Sequence, residues 1–235
     1  MDSPDFSPLA EFARQVQTLV DLGYPTLMGM TPAAFTALVA PLEQALAKPE
    51  RMPSLTPTER VPFVLVIKQE ALPVEVTMPL TQLNRKAGFV DFQPEGPAGL
   101  KAFLPLPELK VPSDVAYLIF DVDTGSEFRN VTPEDALVAI REQGRSPLTV
   151  DEGIALLTQF PERLRKNHCF SLVGSRSGDR RVPALWISQG RPKLGWCWAR
   201  NPHTWLGSAS CAGRGGTTGA PSDVERLPQE LQQTV

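Results

Sequence analysis

This sequence has no run long and apolar enough to span a bilayer. Its longest strongly hydrophobic stretch, VPFVLVI at residues 61–67, is far short of the roughly 20 residues that a span needs. Its N-terminus, MDSPDFSPLAEF, lacks the basic start and apolar middle of a secretory signal. Cysteine is scarce: 3 residues, an odd number, with no Cys-x-x-Cys pair. That argues against a disulfide scaffold and fits a reducing, cytoplasmic setting. Histidine is scarcer still, at 2. The Gly-rich GRGGTTG at residues 213–219 has no Lys-Ser/Thr to make it a phosphate-binding loop, so residues 213–235 read as a flexible tail. No metal, cofactor or membrane partner is expected.

Proline is abundant, at 24 residues spread along the chain, which predicts many short elements with fixed turns. Charge is unevenly distributed. Residues 1–161 hold 12 Lys and Arg against 21 Asp and Glu, while residues 162–214 hold 10 against 2. A basic block is thus attached to an acidic body. It suits an anionic partner, or it docks on the acidic body itself.

Periodicity predicts an α+β fold with an N-terminal helical pair, a mixed middle region and a C-terminal antiparallel β-meander. Residues 1–48 form the helical region, with Leu9, Phe12, Val16, Leu19 and Val20 at helical spacing and Thr31 capping a second helix that Pro41 bends. A Pro-rich connector leads to an α+β domain over residues 60–212. Its clearest strand is DVAYLIFDVDTG, and a brief helical turn is expected near residues 80–84. Two helices follow, capped by Thr132 and Thr149. HCFSLVG, VPALWIS, KLGWCWA and WLGSASC then read as four strands, and the links SRSGDRR, QGRP and RNPHT are of hairpin size.

The region GDRRVPALWIS…PKLGWCWA…NPHTWLGSASC, with FARQVQTLVDLGYP and PLTVDEGIALLTQFPE before it, resembles an uncharacterised bacterial family of unknown function. The resemblance runs from about residue 12 to residue 211. It implies a bacterial origin and carries no activity or catalytic residue. YLIFDVDTG resembles the opening strand of haloacid-dehalogenase-type phosphatases, which would make Asp121 the nucleophile and Asp123 the acid/base beside magnesium. Here Thr124-Gly125 stands in the reverse order, and the motif follows more than a hundred residues. Strand-end Asp residues that cap a turn are the simpler reading.

Every Trp, Cys and His falls between residues 168 and 211. If RNPHT closes a hairpin, Cys197 faces Gly207, and Cys197 and Cys211 lie roughly 13 Å apart along one face, too far to share an ion. A Cys nucleophile remains open, with Cys197 or Cys211 activated by His203, against the plainer reading of buried thiols. Alternation places Trp196 and Trp198 on one face and Gly195, Cys197 and Ala199 on the other; a row of small residues lets a second layer or a flat ligand come close. Arg176, Arg180, Arg181, Arg191, Lys193 and Arg200 border this sheet. With Trp196, Trp198 and Trp205 they form the general recipe for a nucleotide or single-stranded nucleic acid: cations for phosphate, rings for bases. Binding of such an anion is the leading expectation. The alternatives are a Cys/His enzyme and a non-catalytic interaction scaffold.

Overall fold

The computed structural model describes residues 6–47, 60–91 and 99–217. Helix α1 (Pro8–Asp21) starts at Ser7, whose hydroxyl accepts from the Ala10 N–H, and buries Phe12, Gln15, Val16 and Leu19. The chain breaks at Gly23, φ +82°, before the single turn α2 (Tyr24–Leu27). Thr31 caps α3 (Pro32–Val39), and Pro41 tightens the continuation into a 3₁₀ turn before α4 (Glu43–Leu46). Leu9 alone of the predicted helical stripe is exposed.

Strand β1 (Val61–Ile67) leads into α5 (Val74–Thr77) and a 3₁₀ turn at Met78–Leu80, so the helical turn expected near residues 80–84 lies earlier. The short strands β2 (Gln82–Leu83), β3 (Lys86–Ala87), β4 (Phe89–Val90) and β5 (Leu104–Pro105) precede the long β6 (Ala116–Val122). Helix α6 (Pro133–Glu142), strand β7 (Ser146–Pro147) and α7 (Val150–Gln159) follow. Thr132 caps α6, and Thr149 caps α7 in a full capping box with Glu152. The C-terminal third is all strand: β8 (Cys169–Ser171), β9 (Ser175–Arg176), β10 (Arg181–Ser188), β11 (Arg191–Trp198), β12 (Leu206–Ser208), β13 (Ser210–Cys211) and β14 (Gly213–Gly215).

One sheet has the order β1-β6-β14, antiparallel throughout. Its two faces divide the core. Phe63, Leu65, Leu118 and Phe120 pack with the N-terminal helices; Val64, Val66, Tyr117 and Ile119 belong to the larger core with α6, α7 and the second sheet. The exposed edge of β1 is covered by Gln15, whose amide donates to the Phe63 carbonyl and accepts from the Leu65 N–H. That blunts an edge otherwise open to pairing. Strand β14 corrects the expected tail, because Gly213–Gly215 pairs with β6 and residues 218–235 lie outside the described residues. Arg214, between Gly213 and Gly215, is buried in the fold.

The second sheet has the order β12-β8-β10-β11-β4. β8, β10 and β11 form the expected antiparallel strands, and β10 turns into β11 through Gln189 and Gly190, both with positive φ. The link RNPHT does not close a hairpin. β12 pairs in parallel with β8 on the far edge, while the free edge of β11 is filled by the parallel β4. Cys197 therefore faces Val182 rather than Gly207. Two contacts divert the loop: the Asn130 N–H donates to the His203 carbonyl and the Glu134 N–H to the Ala199 carbonyl. The row of small residues is also filled from within. A Cβ on Gly195 would sit 2.1 Å from the Trp186 ring, and one on Gly207 2.3 Å from the Gly125 carbonyl oxygen.

Candidate ligand-binding face

The β10–β11 hairpin sorts its side chains by cross-strand pairing. Trp196 pairs with Pro183 and Trp198 with Arg181 on one side; Lys193 pairs with Trp186 on the other. The residues proposed from the sequence as bordering one binding sheet fall into two groups.

The first group lies where β10 begins and β11 ends. Trp198 is 47% exposed and meets Trp196 edge-on, ring centroids 4.8 Å apart. The Arg181 guanidinium stands 5.8 Å from the Trp196 ring and is held by Asp179, whose carboxylate also accepts the Arg181 backbone N–H. Burial, outweighed by the hydrogen bonds from Arg181 and Ser177, leaves the Asp179 carboxyl below its ordinary value. Arg180 is exposed and forms no ion pair among the described residues. Arg200 reaches across to Glu134 at 2.7 Å, and this hydrogen-bonded pairing lowers the Glu134 carboxyl. Arg176 differs: half-buried, it donates to the Val173 and Ser175 carbonyls, and burial lowers its pKa.

The second group runs along the other side as alternating rings and cations. Arg191 lies 4.1 Å from the Phe89 ring, and Lys193, ion-paired with Asp91, lies 5.0 Å from the Trp186 ring. Trp186 meets Trp205 at 6.4 Å, and Trp205 meets His203 at 5.2 Å. Phe89 and Trp186 are absent from the residues proposed from sequence. Trp186 could have been found there, since a two-residue turn at Gln189-Gly190 fixes its pairing with Lys193. Phe89 comes from a distant two-residue strand with no such signal.

The thiols stand apart from both groups. Cys197 and Cys211 are buried, and burial pushes each up to about 12; Cys169 is buried and raised by the same cause. A thiol held so far above neutrality has almost no thiolate to attack with. His203 packs on Trp205, and among the described residues no hydrogen bond joins it to either Cys. His168 lies instead 3.0 Å from the Ser126 hydroxyl through Nδ1. Among the described residues no group of three or more His, Cys, Asp and Glu is placed to hold a metal.

Asp121 and Asp123 are taken up by arginine. Asp121 Oδ2 accepts from Arg60 at 3.0 Å and Arg145 at 2.6 Å, while Asp123 accepts from Arg60 and from the Gly125 N–H. Gly125, φ +69°, turns the chain there, and a Cβ on it would lie 1.9 Å from the Ser208 carbonyl oxygen. Asp123 caps the tight turn, and Arg60 and Arg145 hold the Asp121 carboxylate as structural ion pairs.

A model for a family of unknown function, DUF5701, covers residues 18–217. No curated protein and no solved structure matches. Among the described residues no helix is long and apolar enough to cross a membrane.

Proposed function

The chain belongs to this family of unknown function, and since the family brings no activity with it, we propose on structural grounds that the protein binds an anionic, ring-bearing partner of the nucleotide or single-stranded nucleic-acid kind. The corner formed by Arg180, Arg181, Trp196 and Trp198 is where it would be gripped. One observation carries this reading: a Trp that is 47% exposed, braced edge-on by a second Trp, beside the exposed Arg180, which makes no ion pair of its own among the described residues and whose charge is felt at Glu134. An indole so placed offers a free face to a base, and Arg180 and Arg181 offer charge to a phosphate. The Arg200–Glu134 pair is exposed, and Arg181 is half-buried against an exposed Asp179, so a phosphate can replace either carboxylate with little loss. Arg191, Lys193 and Trp205 belong to the opposite side and extend the basic border. The raised thiols favour binding over a reaction at Cys197 or Cys211 with His203.

The test is tryptophan fluorescence during titration with a single-stranded oligonucleotide and, separately, a nucleoside triphosphate, at rising salt. Saturable quenching whose affinity falls steeply with salt is expected, and Trp198→Ala should weaken it. Absent or salt-independent binding overturns the reading.

A scaffold role without a ligand is favoured by a different observation. Lys193–Asp91, Arg200–Glu134, Arg145–Asp121 and Arg214–Glu152 tie basic residues to acidic ones within the chain. Glu134→Gln separates the two readings: it frees Arg200 and tightens anion binding under the first, and leaves binding absent under the second.

A further inference from the structure

Two loops that the sequence keeps 42 residues apart meet beside the strand pair β12–β8. Ser126, just after the turn at Gly125, places its hydroxyl 3.0 Å from Nδ1 of His168, and both side chains are half-buried. Each loop is held from behind. Gly125 lies so close to β12 that a Cβ on it would stand 1.9 Å from the Ser208 carbonyl oxygen. His168 closes a tight turn through Asn167, φ +63°, and donates its N–H to the Arg165 carbonyl. The next residue, Cys169, enters β8 and pairs with Leu206 of β12. Arg129 ties the loops together, with Nε donating to the Ser126 carbonyl at 3.0 Å and Nη1 to the Asn167 carbonyl at 3.4 Å. Backbone anchors therefore set the Ser126–His168 contact, as a preorganised site requires.

A serine hydroxyl is a weak nucleophile unless a base takes its proton as it attacks, and that base must lie within hydrogen-bond reach. The Ser126–His168 separation meets this condition. His168 Nε2 has no hydrogen-bond partner among the described residues. A proton on Nε2 leaves the Nδ1 lone pair to accept from Ser126. Arg129 is exposed, and its Nη2 is bonded to no group among the described residues. It sets a cation beside the serine, which favours an oxygen that turns negative there. Unlike the three buried thiols, Ser126 is within reach of solvent.

We propose that Ser126 and His168 are a nucleophile and its base, acting on small carboxylic esters. His168 Nδ1 takes the hydroxyl proton as Ser126 Oγ bonds to the ester carbonyl carbon. The carbonyl oxygen carries the negative charge until the bond to the alcohol oxygen breaks, and the alcohol leaves with the proton from Nδ1. Water then gives a proton to Nδ1 as its oxygen bonds to the acyl carbon. The acid departs, and Ser126 Oγ recovers that proton. Ester and water become acid and alcohol, with no other reactant. The site is independent of the Trp corner: β8 runs antiparallel to β10 with Phe170 opposite Leu185, so His168 lies towards the end of β10 remote from Arg181.

The probes are diisopropyl fluorophosphate, which loses fluoride to a nucleophilic serine, and 4-nitrophenyl acetate, both applied to the full chain. A single phosphoryl adduct is expected, mapped to Ser126 by peptide mass spectrometry. Release of 4-nitrophenol above the buffer rate should accompany it and stop once Ser126 is labelled. Ser126→Ala should lose both. His168→Ala should slow labelling of Ser126 by about 100-fold or more. Added imidazole should restore part of that rate, which a loss of packing alone would not allow. Equal labelling of Ser126 in folded His168→Ala overturns the proposal, as does nitrophenol release that survives labelling. So does the lack of an adduct at Ser126 in the wild type, a result that decides even where a variant fails to fold.

Discussion

The two sheets use arginine in opposite ways. In the three-stranded sheet, Arg214 is buried against Glu152, which is wholly inaccessible, and makes two charge-assisted bonds to it at 2.6 and 2.8 Å. It also donates to the Ser146 hydroxyl and the Pro147 carbonyl, while Tyr117 and the Thr149 N–H complete the carboxylate. Burial pulls the guanidinium down, but the carboxylate outweighs it and holds Arg214 above its ordinary value. The Tyr117 hydroxyl is raised by burial and by that same carboxylate. In the five-stranded sheet, Arg181, Arg191 and Lys193 lie half-buried over ring faces, Arg181 and Lys193 each paired with an exposed carboxylate, Asp179 and Asp91. A cation whose three guanidinium nitrogens all donate inside the fold fixes structure. One paired only with an exposed carboxylate can exchange it for a partner's anion.

The largest expected effect breaks the buried side of this contrast. Glu152→Gln leaves a guanidinium without its counter-charge, and unfolding stability should fall by about 3–5 kcal/mol in a denaturant titration. Adding Arg214→Met to that variant should restore much of the loss, because the unpaired cation goes with it. Failure of the second change to recover stability would mean that Ser146, Pro147 and Tyr117 hold the site without help from charge.

Gly125→Ala comes next. The new Cβ would meet backbone at 1.9 Å, and φ there is +69°, so neither the side chain nor the strand can yield cheaply. A loss of roughly 2–4 kcal/mol is expected by the same titration. Gly144→Ala is the control, with φ +67° but open space around it, and should lose only about 1 kcal/mol.

Local signals made much of this fold legible. Ser and Thr before Pro or acidic residues marked helix starts, so Thr31, Thr132 and Thr149 cap as expected. Alternation sorted Trp196 and Trp198 away from Cys197 because period-2 geometry is intrinsic to a strand. Partner choice was not legible. RNPHT has hairpin length, but only the distant Phe89–Val90 and Asn130 explain why β11 takes a parallel neighbour and β12 goes elsewhere. Arg214 sits in a Gly-rich stretch that reads locally as tail, and its buried partner lies 62 residues away. Asp151 gave no sign in its capping context that its buried Oδ1 would be left unmatched among the described residues.

A pH-dependent effect belongs to Asp151. Burial pushes its carboxyl up to about 7, above the ordinary carboxylate value of about 3.9. The folded state therefore retains a proton that the unfolded chain has already lost. The contribution is fully present below about pH 4 and is lost as pH rises to about 7, at roughly 1.4 kcal/mol per unit at most. Subtracting the Asp151→Asn profile from the wild-type profile should leave a downward slope confined to that window. A flat difference means that the carboxyl ionises normally in the fold.

The smallest stability effect tests the exposed side of the comparison. Trp198→Ala removes a ring that rests on Trp196 with nearly half its surface in solvent, and Arg180→Ala removes an exposed charge that makes no ion pair among the described residues. Unfolding midpoints should move little, by under about 1 kcal/mol for the Trp and about 0.5 for the Arg. Binding should change far more. Trp198→Ala should weaken every oligonucleotide by about 1–3 kcal/mol, with the salt slope unchanged, whereas Arg180→Ala should reduce that slope by about one charge. If Trp198→Ala instead destabilises the protein as much as Gly125→Ala does, the ring is part of the core's support. The corner would then be structure, like Arg214, and the contrast between the two sheets would disappear.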